Sequence, residues 1–356
     1  MVLARYIARE VLLTTLVVLV ALLALFAFFD LIRELNDLGK GNYRLTALLG
    51  YVALLVPAHV YVVLPVSALI GTLFVLARLS EKSELTVMRA SGLSLVRLAG
   101  YVASAGGVVA VATLLFGEFV APHSDEAAMN LRLKATSAIV AREFRSGFWI
   151  KDDRSFVNIQ DVTGDAKLVN LRIYEFDSAN RLTTISRAES GTYSGPNKWS
   201  LSNVELTRFS GDRTVLEKLP VAVWNSVLTP DMLSVLKIVP EQMSATKLVS
   251  YIEHLRDNRQ RTTRYEIALW NKALYPVAAI IMMVLAIPFA VQHSRVGGLG
   301  AKVVLGILLG VGFHFSGRLF SHLGLLNNWP SEISAGLPTA IFLAMAVAGL
   351  AWAERR

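Results

Sequence analysis

The chain of 356 residues contains no cysteine, which excludes disulfides and thiolate metal ligands. Charge is scarce as well: Asp, Glu, Lys and Arg make up 17% of it, against about 25% in ordinary soluble domains. The motifs of self-contained catalysis are missing. No GxxxxGK followed by Ser or Thr occurs; the nearest run, GGLGAK from Gly297 to Lys302, has the wrong spacing and sits in a short basic loop, so the chain cannot cradle nucleotide phosphates in a P-loop. HExxH and GxSxG are absent too. The histidines, His59, His123, His254, His293, His314 and His322, share no metal-ligand spacing. No catalytic residue, metal site or cofactor is expected, and the chain is not expected to be an enzyme. A proton-coupled transporter would want paired acids in mid-span, and none are found.

What is present is apolar. Hydrophobic residues make 54% of the chain, and the mean hydropathy is +0.51, which points to a polytopic membrane protein. The net charge of +8 then reflects basic cytoplasmic loops and anionic lipid surfaces, not nucleic acid. Six runs are long enough to span: about Val11–Phe29, Leu45–Leu76, Leu95–Val120, Ile267–Val291, Val303–Leu326 and Leu337–Trp352. The first follows Arg5 and Arg9 and has no small-residue cleavage site after it, so it reads as an uncleaved helix. Pro57 and Pro65 predict kinks in the second run, Pro276 and Pro288 interrupt the fourth, and Pro122 follows the third. NNWPSEISAG reads as a turn between the last two. An even number of spans puts both termini and both basic loops on the cytoplasmic side.

Between the third and fourth runs the composition changes. DEAAMNLRLKATSAIVARE reads as a helix leaving the membrane, and MSATKLVSYIEHLRDN as one returning to it. Between them lie short alternating runs: FWIKDD, SFVNIQDV, LVNLRIYEFD, LTTISRAE, GTYSG, WSLSNVELTRFSG and TVLEKLPVAVW, separated by turn residues. The predicted fold is an α-helical polytopic membrane protein with six transmembrane helices and an inserted all-β, jelly-roll-like periplasmic domain. Residues 1–122 form the first membrane half, 123–261 the β-domain with its flanking helices, and 262–356 the second membrane half.

Two stretches carry functional expectations. The polar segment from Arg78 to Arg97 lies between two uncharged runs, and its middle, within about 80–92, reads as a short helix stopped by Gly92. Glu84, Val87, Met88 and Ser91 fall on one face of it. It is either a solvated turn or a coupling helix that a transporter inserts into a cytoplasmic ATPase. The second stretch is a scatter of cations at the outer ends of spans: Arg33, Lys40, Arg44, Arg132, Lys134 and Arg318. They either snorkel to headgroups or converge on a phosphorylated ligand. Arg33 has Asp30 and Asp37 within helical reach, so local pairing should neutralise it and rank it below Arg132 and Arg318. His59 and Arg318 are the clearest ionisable groups inside spans. Gly306, Gly310, Gly312 and Gly317 should let neighbouring helices approach the fifth.

SELTVMRASG, from Ser83 to Gly92, resembles the cytoplasmic helix of the lipopolysaccharide-export permeases, which come as F and G types. RYIARE near the start, GEFVAP at Gly117–Pro122, GFWIKDDRSFVNI at Gly147–Ile159 and LWNKALYPVAAIIMMVLAIPF at Leu269–Phe289 are similar to the G-type inner-membrane subunit, as is the order of spans and β-domain. The resemblance implies a permease subunit of an ABC transporter. Such a complex extracts lipopolysaccharide from the outer leaflet of the inner membrane and passes it to a single-span periplasmic jelly-roll bridge. Implied partners are a paralogous F-type permease and two copies of a cytoplasmic ATPase. Glu84 would meet an ATPase arginine, with Leu85, Val87, Met88 and Arg89 beside it. Arg132 matches a basic position of the family, whereas Asp30, Asn36 and Asp37 stand where members carry Lys, and Met129 where another basic residue can occur. The alternative is a membrane subunit that transmits force from an ATPase and moves no lipid.

Overall fold

Long uncharged runs leave the backbone no partner but itself in lipid, and the chain answers with helices. The computed structural model describes residues 2–39, 43–136, 147–152, 155–162, 167–178, 181–195, 198–210, 213–226, 228, 239–292 and 299–355. Helix α1 is Val2–Leu35, α2 Leu45–Glu81, α3 Glu84–Ala90 and α4 Leu95–Leu115. A π-helical turn, Phe116–Val120, joins α4 to α5, Ala121–Thr136. Six strands follow: β1 Phe148–Asp152, β2 Ser155–Val162, β3 Leu168–Phe176, β4 Leu182–Gly195, β5 Lys198–Ser210 and β6 Arg213–Asn225. A 3-10 turn at Pro240–Gln242 leads to α6 Ala245–Asp257, then α7 Thr263–Gln292, α8 Leu299–Asn327 and α9 Ser331–Glu354. Among the described residues six helical stretches are long and apolar enough to cross a membrane: α1, α2, α4 continuing to Arg132, α7, α8 and α9.

The bundle is organised around α2 and α7. Their most apolar windows are 72% and 61% buried, against 17% for both α1 and α8. Small residues explain the centre. A Cβ on Gly71 would stand 2.8 Å from the backbone nitrogen of Thr15, so α1 and α2 cross in backbone contact there. Ser67 and Thr72, both fully buried in α2, return their hydroxyls to the carbonyls of Val63 and Ala68. Of the glycines expected to admit a neighbour to α8, Gly306 packs on Ile70 and Leu73 and Gly310 on Val66, while Gly312 and Gly317 face open space.

Several boundaries differ from the sequence reading. Pro122 does not end the third span. It lacks an N–H for the helical ladder, and the π turn just before it absorbs the irregularity, so the helix runs on to Thr136. The described part of the expected departing helix is this continuation. WPSE is not all turn: Pro330 fixes φ at −53° as the residue before α9, and the helix begins at Ser331.

The strands form one antiparallel sheet in consecutive order, β1 to β6. LTTISRAE and GTYSG, read as two runs, are one strand. Gly191, which opens the second run, is no break; it lies opposite Leu168 and Leu201, whose side chains fill the space a Cβ would take. Val157, Ile159, Leu171, Ile173, Ala188, Leu201 and Val204 make the covered face around Trp199, which is fully buried. The Trp199 indole N–H donates to the Leu228 carbonyl at 2.9 Å, which satisfies its one polar atom. Pro220 is tolerated because β6 is an edge strand among the described residues.

Candidate functional site

The sequence-predicted residues collect at opposite ends of the bundle. At one end, α3 is a seven-residue helix. Glu84 opens it, where the amide dipoles favour an anion. Gly92, at φ +97°, closes it in the left-handed conformation, with its N–H on Arg89 O at 3.0 Å and the Leu93 N–H on Met88 O at 3.1 Å. The expected common face splits. Leu85 is 1% exposed and belongs to the chain's own core, and Met88 packs half-buried against that core. Val87 is 63% exposed, and Arg89 and Ser91 are exposed with it. Glu84 is half-buried and accepts a hydrogen bond from Tyr6 Oη of α1 at 3.3 Å. One turn further along α1, Glu10 pairs with Arg78 at the end of α2. The α3 end of the bundle is therefore fastened to α1, which the motif alone did not suggest.

At the other end, the charges pair differently from the sequence expectation. Asp30 and Glu34 near the end of α1 and Asp37 just beyond it lie along one stripe, and all three have neighbours outside α1. His59 Nε2 of α2 is 3.3 Å from Asp30 Oδ2. Tyr43 Oη donates to Glu34 at 2.9 Å. Arg132 of α5 donates to Asp37 at 2.7 Å, lies 3.5 Å from Glu34, and stands over the Tyr51 ring. Arg33 is left exposed. Asp30 and Glu34 are buried, and buried carboxylates demand partners more strongly than exposed ones: Glu34 takes the Tyr43 hydroxyl with Arg132 beside it, while Asp30 Oδ2 faces His59 without a hydrogen bond among the described residues. Tyr43 is itself 1% exposed; burial, then its bond to Glu34, hold its hydroxyl's pKa well above that of a free phenol, so it remains a donor.

Arg44 is exposed at the start of α2 and lines an open groove of about 590 Å³ with Thr46, Asn130 and Leu131. Arg318 is exposed on α8, a turn from His314, and makes no ion pair among the described residues. Lys40 lies outside the described residues, as does the side chain of Lys134. The carboxylates at the end of α1 thus gather around Arg132 and His59, and Arg33, Arg44 and Arg318 present exposed cations. Glu34, Tyr43, Tyr51 and the Asp30–His59 pair were not singled out from sequence. The acidic spacing at positions 30, 34 and 37, repeating on one helical face, was the available signal.

A family model described as lipopolysaccharide export system permease LptF/LptG matches residues 5–352. The chain belongs to this permease family. Over 343 residues, 96% of the chain and 95% of the relative, it is 31% identical to the lipopolysaccharide export system permease protein LptG of Escherichia coli K12. LptG of Haemophilus influenzae is 29% identical over 344 residues, 96% of each chain. The similarity to LptF of Escherichia coli K12, 32% identical, covers 146 residues, 40% of each chain. The permease family match spans both charged ends and the sheet between the membrane halves.

Proposed function

We propose that the chain is the G-type permease subunit of an ABC transporter that extracts lipopolysaccharide from the outer leaflet of the inner membrane and hands it to a periplasmic bridge. The observation that carries this reading is the similarity to LptG along 96% of the chain. The weaker, partial likeness to LptF supports a paralogous F-type partner. Two copies of a cytoplasmic ATPase drive the pair. In this arrangement the chain is a multi-pass inner-membrane protein with both termini and α3 in the cytoplasm and the sheet in the periplasm. Residues 1–122 and 262–356 form the membrane halves, and 123–261 the periplasmic domain with its flanking connecting helices.

The geometry supplies a route for force. Glu84, Val87 and Arg89 face the ATPase, while Leu85 and Met88 root α3 in the bundle. Tyr6–Glu84 and Glu10–Arg78 fasten that end to α1. Helix α1 has 34 residues, about 50 Å at 1.5 Å per residue, so a tilt begun at α3 reaches the acidic cluster beyond Phe29. The sparsely buried α1 and α8 are the flanks that meet the F-type subunit and enclose the acyl chains. Arg33, Arg44 and Arg318, with Lys40 and Lys134, meet the phosphates at headgroup depth, and Arg132 joins them when the ligand displaces a carboxylate.

The test is purification of the co-expressed permease pair and ATPase in detergent, mass identification of bound lipid, and ATP-driven release in proteoliposomes. Bound lipopolysaccharide released only with ATP is the expected result. A complex that hydrolyses ATP and neither binds nor moves lipopolysaccharide would favour the force-transmitting subunit instead.

A further inference from the structure

Helix α6 carries the chain back from the sheet to the fourth span, and its first turn exposes amides that need acceptors. Ser244 caps one: its Oγ accepts from the Lys247 N–H at 3.2 Å. The two before it are capped by a residue on another helix. Glu118, in the π turn, accepts the Ala245 N–H at 2.7 Å on Oε2, and the Thr246 N–H at 3.2 Å and Thr246 hydroxyl at 3.3 Å on Oε1. A carboxylate on the opening amides of a helix also meets the positive end of its dipole. Glu118 Oε2 is in addition 3.8 Å from Lys272 Nζ of α7. Lys272 donates to the Met243 carbonyl just before α6. One carboxylate therefore touches both the returning arm and the fourth span. A second contact, Lys247 to Glu126 at 2.8 Å, braces the same arm against α5.

The π turn is what aims Glu118. It is seated by Gly117, where a Cβ would overlap the Tyr61 ring. Tyr61 packs on Tyr275 with ring centres 4.9 Å apart, and Tyr275 Oη donates to Val62 O at 2.6 Å. The turn is thus registered against the two most buried helices, α2 and α7. Two turns beyond Glu118, Asp125 is buried with one carboxylate oxygen lacking a hydrogen-bond partner among the described residues, and it adds negative field at Lys272. A π-helical turn inside a long helix often marks a functional position.

We propose that Glu118 is a positioning residue that clamps α6 to the membrane bundle, so that movement of the third and fourth spans is passed to the sheet. This rests on the transport reading above. Two variants open the clamp from opposite sides. Glu118→Gln keeps side-chain length and removes the charge. Ala245→Pro removes the donor at a helix position that favours proline, after Ser244 whose φ −68°, ψ 156° suits a residue preceding proline. Both are made in the complete complex in proteoliposomes. Amide exchange at residues 245–248 reports the clamp, and lipopolysaccharide transferred per ATP hydrolysed reports transmission. The expected result is faster exchange in Glu118→Gln and a fall of about tenfold in transfer per ATP in both variants, with hydrolysis continuing. A purely structural role lowers transfer and hydrolysis together and leaves their ratio unchanged, which overturns the proposal, as does unaltered exchange in Glu118→Gln. A wild-type complex that moves no lipopolysaccharide sinks the transport reading itself, and that result is distinct from an active wild type with unaffected variants.

Discussion

Arg132 of α5 donates to Asp37, at the end of α1, at 2.7 Å. The pair ties the third span's continuation to the first span and takes part of the Arg132 charge out of circulation. A cation expected from sequence to meet a ligand is also held by carboxylates at the end of the first span.

That exchange of roles predicts opposite phenotypes for two arginines. Arg132→Met leaves the buried Glu34 without its guanidinium neighbour. Solvent reaches Arg132, so the expected cost is only about 1–2 kcal/mol, and the midpoint of thermal unfolding in detergent falls by a few degrees. Asp37→Asn should do the reverse for function, freeing Arg132 and raising lipopolysaccharide crosslinking to it. Equal crosslinking in wild type and Asp37→Asn would show that the pair does not hold Arg132 back.

Arg318→Glu, at an exposed residue without an ion pair among the described residues, should leave the unfolding midpoint unchanged and reduce photocrosslinking to lipopolysaccharide severalfold, because the proposed phosphate contact becomes a repulsion. Unchanged crosslinking in the Arg33→Glu/Arg318→Glu double variant would reduce both residues to interfacial anchors.

On the proposed reading, α3 separates docking from folding. If Glu84 meets the ATPase, Glu84→Ala removes a charge-assisted contact worth about 1–3 kcal/mol and should lower ATPase affinity by about tenfold or more in a pull-down titration. Val87→Asp, on the exposed side, should do likewise while the permease pair stays folded. Leu85→Asp, by contrast, places a charge in the chain's own core and should abolish expression of the folded subunit. Wild-type affinity and transport in Glu84→Ala would make α3 an ordinary solvated turn.

The six spans and the strands were legible because each has its own periodicity and because charge stops at the lipid boundary. The span limits were less so: Pro122 has a breaker's chemistry, and only the π turn ahead of it shows why the helix survives. Gly191 likewise carries the sign of a turn and serves as a close-packing position. The pairing of Arg33 with Asp30 and Asp37 was a local inference from helical spacing. It failed because His59 and Arg132 come from distant parts of the chain, and spacing along α1 holds no information about them. Leu85 and Val87 could not be sorted into buried and exposed by a seven-residue helix alone, since its orientation depends on where α2 and α4 end.

The absence of cysteine makes the proposed orientation directly measurable. Single substitutions at exposed positions report through a membrane-impermeant thiol reagent. Val87→Cys on α3 should react only after the membrane is opened, and Lys218→Cys on β6 should react in intact spheroplasts. The Lys218 site has a further use. In the wild type its ammonium lies 2.8 Å from Glu205, whose carboxyl it holds below the usual range, so the pair contributes above the ordinary Glu pKa and fades as the pH falls through the depressed value. Both groups are fully solvated, so losing the pair should not disturb the sheet, and the label reads topology without distorting it. Labelling of Val87→Cys in intact spheroplasts would invert the orientation and with it the assignment of α3 to an ATPase.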